Sequence, residues 1–276
     1  MNLPPARLSP DDLGPARLSR FARHIVLPEI GGAGQVALAG AHVMLVGCGG
    51  IGSPALQYLA AAGIGRLTLI DDDVVEASNL QRQTIFAETD LGQAKADCAA
   101  RWVARFDSTL RVEPVRERID TTNAARLLAG ATVVLDGCDN FATRLAVSDA
   151  CVALGIPLTS AALGRFQAQI GNFAGHLASE ACYRCFVGDA FDAADCDTCA
   201  ADGVLGAMAG IAGSMAAMAA IRVVLAGKAT LGDPQWGKLQ LFEGLVPSLR
   251  VLTIAKDSDC RGCAVPPRNG EGDCAA

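Results

Sequence analysis

Two groups of residues in this chain have types and spacings suited to chemistry: a glycine turn with acids and cations set at intervals after it, and a set of C-x₂-C pairs. Gly47, Gly49 and Gly52 of "GCGGIG" fit G-x-G-x-x-G, between the apolar run "AHVMLV" and the helix-like "SPALQYLAAAG". A turn of this kind opens a helix whose free N–H groups and positive dipole end favour phosphate, and glycines let the phosphate come close to the backbone. Further on, "DDDVVEASNLQRQ" sets Asp71, Asp72 and Asp73 at the end of a second apolar run and Asn79, Arg82 and Gln83 in the loop that follows. "GQAK" then puts Lys95 in the first turn of an expected helix, where a cation opposes the helix dipole unless an anion lies nearby. "LDGCDN" adds Asp136 and Asp139 at the end of another apolar run.

The glycine turn with Asp71 about 20 residues beyond it is by itself a dinucleotide fingerprint, so an NAD-dependent oxidoreductase is one reading. A tight strand-to-helix turn without a ligand is the plainer one. Arg82, Lys95 and a carboxylate able to hold Mg²⁺ suit a polyphosphate such as ATP better than nicotinamide. None of His24, His42 and His176 has a setting that suggests the acid or base of a hydride transfer.

Of the eleven cysteines, Cys182 and Cys185 ("CYRC"), Cys196 and Cys199 ("CDTC"), and Cys260 and Cys263 ("CRGC") form C-x₂-C pairs. Two such pairs supply the four thiolates of a tetrahedral structural zinc site. Spacing leaves two solutions open: the first pair with the last, or a local ribbon from Cys182 to Cys199. Cys48, Cys98, Cys138 and Cys151 lie on apolar elements and read as packing residues.

The elements that must position these groups alternate between strand and helix patterns. After a short amphipathic helix at 17–27, "AHVMLV" reads as a buried strand, and a helix begins at Ser53 and Pro54 and stops at Gly63. Strand "RLTLIDDD", a helix at 92–106, the more exposed strand "LRVEPVRERI", strand "ATVVLDGCDN", a helix closed by Gly155 and strand "IPLTSAAL" follow. The fold class expected is α/β: a Rossmann-like, doubly wound, mostly parallel sheet, extended by antiparallel strands from "RFQAQIGNFAG", "GKLQLFEG" and "SLRVLTIA". Ligands of such sheets lie outside the carboxyl ends of the strands, which predicts one rim for the glycine turn, Asp71 and Asp139. The uncharged stretch 203–221 is long enough to mimic a membrane span, but its Ala and Gly content reads as a buried core helix.

A net charge of −6 gives no attraction to nucleic acid or to an anionic membrane. The N-terminal stretch has no apolar run of the secretory type, and the expected compartment is the cytoplasm.

"GCGGIG", "SNLQRQ", "GQAK", "CDN", "CYRC" and "CRGC" occur in an order and spacing that resemble the ubiquitin-activating-enzyme-like adenylyltransferases of sulfur-carrier proteins. The molybdopterin-synthase branch is more similar than the thiamine-pathway branch. The resemblance runs from about Arg20 to Cys263 and implies one ThiF-type domain over 1–276. Within it are an N-terminal segment and helix (1–30), a mobile loop with Cys199 (186–202) and a disordered tail (264–276). No appended sulfurtransferase domain is expected after Cys263.

The activity implied is ATP-dependent adenylylation of the C-terminal Gly-Gly carboxylate of a small ubiquitin-like sulfur carrier, giving acyl-adenylate and pyrophosphate. A sulfur-donor protein then displaces AMP. The resemblance places Gly47, Gly49, Gly50 and Gly52 at the nucleotide, Gly50 against its phosphates, with Asp71 on the ribose. It makes Ser78, Asn79, Leu80, Gln81 and Arg82 the nucleotide loop and Lys95 a phosphate contact. Asp139, followed by Asn140, matches the Mg²⁺-binding acid. Arg23 matches an arginine that enters the partner subunit's site in a homodimer; on sequence alone such a residue is more often a solvated helix charge. The resemblance resolves the zinc ligands to Cys182, Cys185, Cys260 and Cys263. Cys199 then matches a family cysteine that takes an acyl or persulfide group, although an inert cysteine is the alternative. Cys196 departs from the pattern and can pair reversibly with Cys199. A scaffold that holds a ubiquitin-like partner without consuming ATP is a further alternative.

Overall fold

The computed structural model describes residues 13–188 and 203–264. Cys196, Cys199 and the tail from 265 onward, with the mobility and disorder expected of them, lie outside the described residues. At the near edge of the expected mobile loop, residues 186 and 187 belong to a helix.

The N-terminal part holds α1 (Pro15–Arg20), α2 (Ala22–Ile25) and α3 (Gly31–Ala39). The single helix expected at 17–27 is broken at Phe21, whose ring is buried and lies where a side chain on Gly63 would have to sit. Burying that ring turns the chain between the two short helices. The helix α3 was not foreseen, because its Gly31, Gly32 and Gly34 lower its helix propensity.

The chain then alternates through β1 (His42–Val46), α4 (Gly52–Ala62), β2 (Arg66–Ile70), α5 (Lys95–Phe106), β3 (Arg111–Val115), α6 (Ala124–Leu128), β4 (Val133–Asp136), α7 (Phe141–Leu154) and β5 (Leu158–Leu163). The strand expected across "LRVEPVRERI" stops at Val115, and the helix expected from Gly92 starts at Lys95. β6 (Gln167–Phe173), α8 (Tyr183–Val187), α9 (Gly206–Leu225), β7 (Lys238–Glu243) and β8 (Ser248–Thr253) complete the described elements. They form one sheet of order β3-β2-β1-β4-β5-β6-β7-β8. β1 to β5 pair in parallel, and β6, β7 and β8 extend the sheet antiparallel, as the sequence predicts.

Both faces are covered at the centre of the parallel part, which is why β1 and β4 read as unbroken apolar runs, while the edge strand β3 is more exposed. Along β1, Val43 and Leu45 enter a core with α4, α5 and α9, while Met44 and Val46 enter a second core with α6, α7 and α8. The helix α9 is long and apolar enough to cross a membrane, but it packs as a core helix, with most of its small residues buried. At Gly213 its backbone approaches α4 so closely that a Cβ would lie 2.4 Å from the Ile51 carbonyl oxygen. The sheet reverses its winding between β1 and β4, so a crevice opens at their carboxyl ends.

Candidate active site

The glycine turn leaves β1 at Gly47, with φ of 84°, and enters α4 at Gly52. A Cβ on Gly52 would lie 1.9 Å from the Gly47 carbonyl oxygen, so the turn closes only with glycine there. The Ser53 hydroxyl donates to the Cys48 carbonyl at 3.1 Å, and the Cys48 N–H donates to Asp71 Oδ2 at 2.7 Å. The turn is thereby fixed to the end of β2. Asp71 also accepts the Asp73 N–H through Oδ1 at 2.9 Å. Burial raises its pKa, opposed by Lys95 and by these two N–H groups.

The loop after β2 winds through a 3-10 turn, Ala77–Asn79. Buried Asn79 organises it: its side-chain oxygen accepts the Glu76 N–H at 3.1 Å, and its carbonyl accepts the N–H groups of Arg82 and Gln83 at 3.0 and 2.9 Å. Arg82 donates to the Ser78 carbonyl at 3.0 Å and lies over Gly50, whose Cβ would be 3.4 Å from Arg82 Cδ. Lys95 opens α5, as predicted, and its side chain is 8 % exposed. Its ammonium pairs with Asp73 at 2.9 Å, a carboxylate that is itself 57 % exposed. That pairing explains how a buried cation is tolerated at a helix N-terminus.

From the other side of the crevice, the loop after β4 carries exposed Asp139 and Asn140. Asn140 caps α7 by accepting the Thr143 N–H at 2.9 Å. A cleft of about 670 Å³ joins the two sides and is lined by Gly47, Gly49, Gly50, Asp71, Asn79, Arg82, Lys95, Asp139 and Asn140. Gly52 is buried under the turn and does not line the cleft.

Ser78, Leu80 and Gln81 do not line it either. Ser78 contributes the carbonyl that holds Arg82, Leu80 packs on the core, and Gln81 meets the start of α9, its amide donating to the Val204 carbonyl. Arg23 is exposed on α2 and is not part of its own chain's cleft. Cys48, Cys98 and Cys151 are packing residues as expected, whereas half-buried Cys138 also lines the cleft. Burial and neighbouring Asp136 push the Cys138 thiol well up.

Sequence reasoning named Asp73 without its role and missed Arg118, Arg144 and Tyr183. Asp73 is the partner of Lys95, Arg118 pairs with Asp72 at 2.9 Å, and Arg144 and Tyr183 are buried at the cleft wall. The one signal in the sequence was a lone arginine on a face of α7 built otherwise from small or apolar residues.

Cys182, Cys185, Cys260 and Cys263 converge, with Sγ atoms 3.8 Å apart for 182–185 and 3.5 Å apart for 182–260 and 185–263. A tetrahedral zinc with bonds of about 2.3 Å sets its sulfurs about 3.8 Å apart, so the donor set fits that ion. Arg184, between the first two cysteines, grips Asp149 of α7 with two bonds of 2.6 and 2.8 Å.

A solved structure of Escherichia coli MccB, with MccA-N7isoASN, shares the fold at a TM-score of 0.76 and 21% identity, covering 92% of this chain and 77% of that one. A "Sulfur carrier protein adenylyltransferase" from Thermus thermophilus is 37% identical over 92% of this chain and 93% of its own length. The bovine "Adenylyltransferase and sulfurtransferase MOCS3" is 41% identical over 96% of this chain, and a "SAMP-activating enzyme E1" from Haloferax volcanii is 43% identical over 64% of it. The chain spans 56% of the bovine relative's length and 65% of the Haloferax one. The profile of the ThiF family matches residues 21–262, and the chain belongs to that family.

Proposed function

We propose that this chain activates the C-terminal carboxylate of a small ubiquitin-like sulfur carrier with ATP. The observation that carries the reading is the meeting of a phosphate-type glycine turn, Arg82, Lys95 and Asp139 in one cleft at the sheet's switch point. An "Adenylyltransferase" name on relatives 37 and 41% identical supports it, as does an MccB structure of the same fold described with ATP.

The glycine turn and the N-terminus of α4 receive the phosphates, and Asp71 takes the ribose hydroxyls. The carrier's terminal carboxylate oxygen attacks the α-phosphorus in line. A new O–P bond forms, the bridging bond to the β-phosphate breaks, and pyrophosphate leaves with its electron pair; no proton needs to move. Arg82 and Lys95 offset the charge that gathers on the transferring group and leaving group. A polyphosphate also competes with Asp73 for Lys95, exchanging one anion for another at the buried ammonium. Asp139 has the carboxylate chemistry that Mg²⁺ uses alongside substrate phosphates, and bound there the ion would neutralise them. The four thiolates would hold zinc as a closed site without a reactive position. Arg23 would act in the partner subunit of a homodimer, and a sulfur-donor protein would displace AMP, with Cys199 available to carry the acyl or persulfide group. The preferred carrier is the molybdopterin-synthase type, with the thiamine-pathway carrier as the alternative.

Carrier-dependent ATP–pyrophosphate exchange tests this. Wild-type protein should catalyse it with a Gly-Gly carrier, and Asp139→Ala should lower it about a hundredfold or more with folding and metal content intact. Exchange near the wild-type level in that variant would remove the metal-binding role of Asp139. Nicotinamide binding without any exchange would favour the oxidoreductase reading.

A further inference from the structure

Arg144 is a charged side chain enclosed by the fold, 6 % exposed on α7. One of its terminal nitrogens meets Asp136 Oδ2 at 3.4 Å and Ser160 Oγ at 3.2 Å. The other donates to the Ala161 carbonyl at 2.7 Å and to the carbonyl of Cys138. Tyr183, from the cysteine knuckle, is buried and lines the same cleft wall. A single side chain therefore binds the end of β4, the neighbouring strand β5 and the loop that crosses the crevice.

The bond to Cys138 has a particular consequence. That carbonyl belongs to the peptide whose N–H is Asp139's own, so holding it fixes the peptide plane from which the Asp139 side chain departs. The loop's entry is held separately, by the Cys138 N–H on Asp136 Oδ1 at 3.0 Å, and its exit by the Asn140 cap on α7. Between those two points nothing but the planar fork of an arginine, with several donors in fixed directions, could satisfy this set of acceptors at once.

We propose that Arg144 is the positioning residue of the Asp139 loop: by clamping the Cys138 carbonyl against β4 and β5, it sets the carboxylate at the height and angle needed to meet a cation on the nucleotide phosphates. This rests on the adenylylation reading above and deepens it. A purely structural role would lower stability and leave the metal dependence of the reaction unchanged.

Arg144→Lys keeps the charge beside Asp136 but lacks the fork. Two measurements on the full chain decide the matter. The magnesium concentration giving half-maximal pyrophosphate exchange should rise at least tenfold, while nucleotide binding measured without magnesium stays within about twofold of wild type. Amide hydrogen exchange at residues 138–140 should quicken at least tenfold relative to β1. Unchanged magnesium dependence and unchanged exchange at 138–140, in a folded Arg144→Lys protein, would overturn the proposal. If that variant fails to fold, Arg144→Met combined with Asp136→Asn leaves no unpaired buried charge and is read in the same way. If wild-type protein shows no carrier-dependent exchange, the adenylylation reading fails, and the amide measurement alone then decides whether Arg144 holds the loop.

Discussion

At the scale of single residues, the groups whose positions the sequence anticipated are those whose place is set by their immediate neighbours in the chain. Gly47 and Gly52 sit where a strand must turn into a helix, and Asp71 and Asp139 follow apolar runs that end at the same edge of a parallel sheet. The roles of Arg144 and Asp73 were not legible, because their partners come from other strands and loops. His42 belongs to the same class. It is buried at the opposite end of β1, its ring placed to donate through Nδ1 to the Gly130 carbonyl at 3.2 Å and to accept the Thr68 hydroxyl through Nε2 at 2.8 Å. Burial, helped by Arg66, lowers its pKa below the ordinary 6.5. The unfolded chain therefore takes up a proton there first as pH falls, so N binds fewer protons than U and stability declines. The His42 contribution is complete above about pH 6.5 and is lost below it, down to the folded pKa. Denaturant titrations between pH 7.5 and 5.5 should show a shallower loss in His42→Gln than in wild type. Equal slopes would mean that His42 titrates alike in the folded and the unfolded chain.

At the scale of elements, the sequence predicted the alternation and the antiparallel extension because period and chain order carry both. It missed α3, where glycines mask a helix held by tertiary contact, with buried Gln35 donating to the Ala62 carbonyl at 2.9 Å. The cysteine knuckle shows a further limit: spacing allowed two pairings, and the described structure brings the distant pair to Cys182 and Cys185. The two C-x₂-C turns lie far apart in sequence, one on α8 and the other after β8. A shared metal would bind the end of the antiparallel extension to α7 through Arg184 and Asp149. Zinc content measured on purified protein should be near one per chain, lost in Cys260→Ser and retained in Cys199→Ser. Cys260→Ser should also lower the unfolding midpoint by several degrees, since a metal bound only to the folded state adds its binding free energy to stability. Zinc retained in Cys260→Ser and lost in Cys199→Ser would restore the local ribbon.

At the scale of the whole molecule, the cleft contains a glycine turn, Asp71, Arg82, Lys95 and Asp139, while Arg23 stands outside it on α2. On the reading proposed above Arg23 acts on another copy, which a symmetric dimer would supply if it placed α2 of each subunit at the mouth of the other's site. Complementation separates this from an ordinary solvated charge. Arg23→Ala and Asp139→Ala proteins should each be nearly inactive alone. In a heterodimer, the Arg23→Ala subunit keeps its Asp139 and receives Arg23 from its neighbour, so one of the two sites is whole. Random reassortment of equal amounts puts half the chains in heterodimers, and exchange activity should recover to about a quarter of wild type. Reassortment without recovery would place Arg23 in its own subunit's chemistry or in none, and full activity of Arg23→Ala alone would leave it a surface charge of α2.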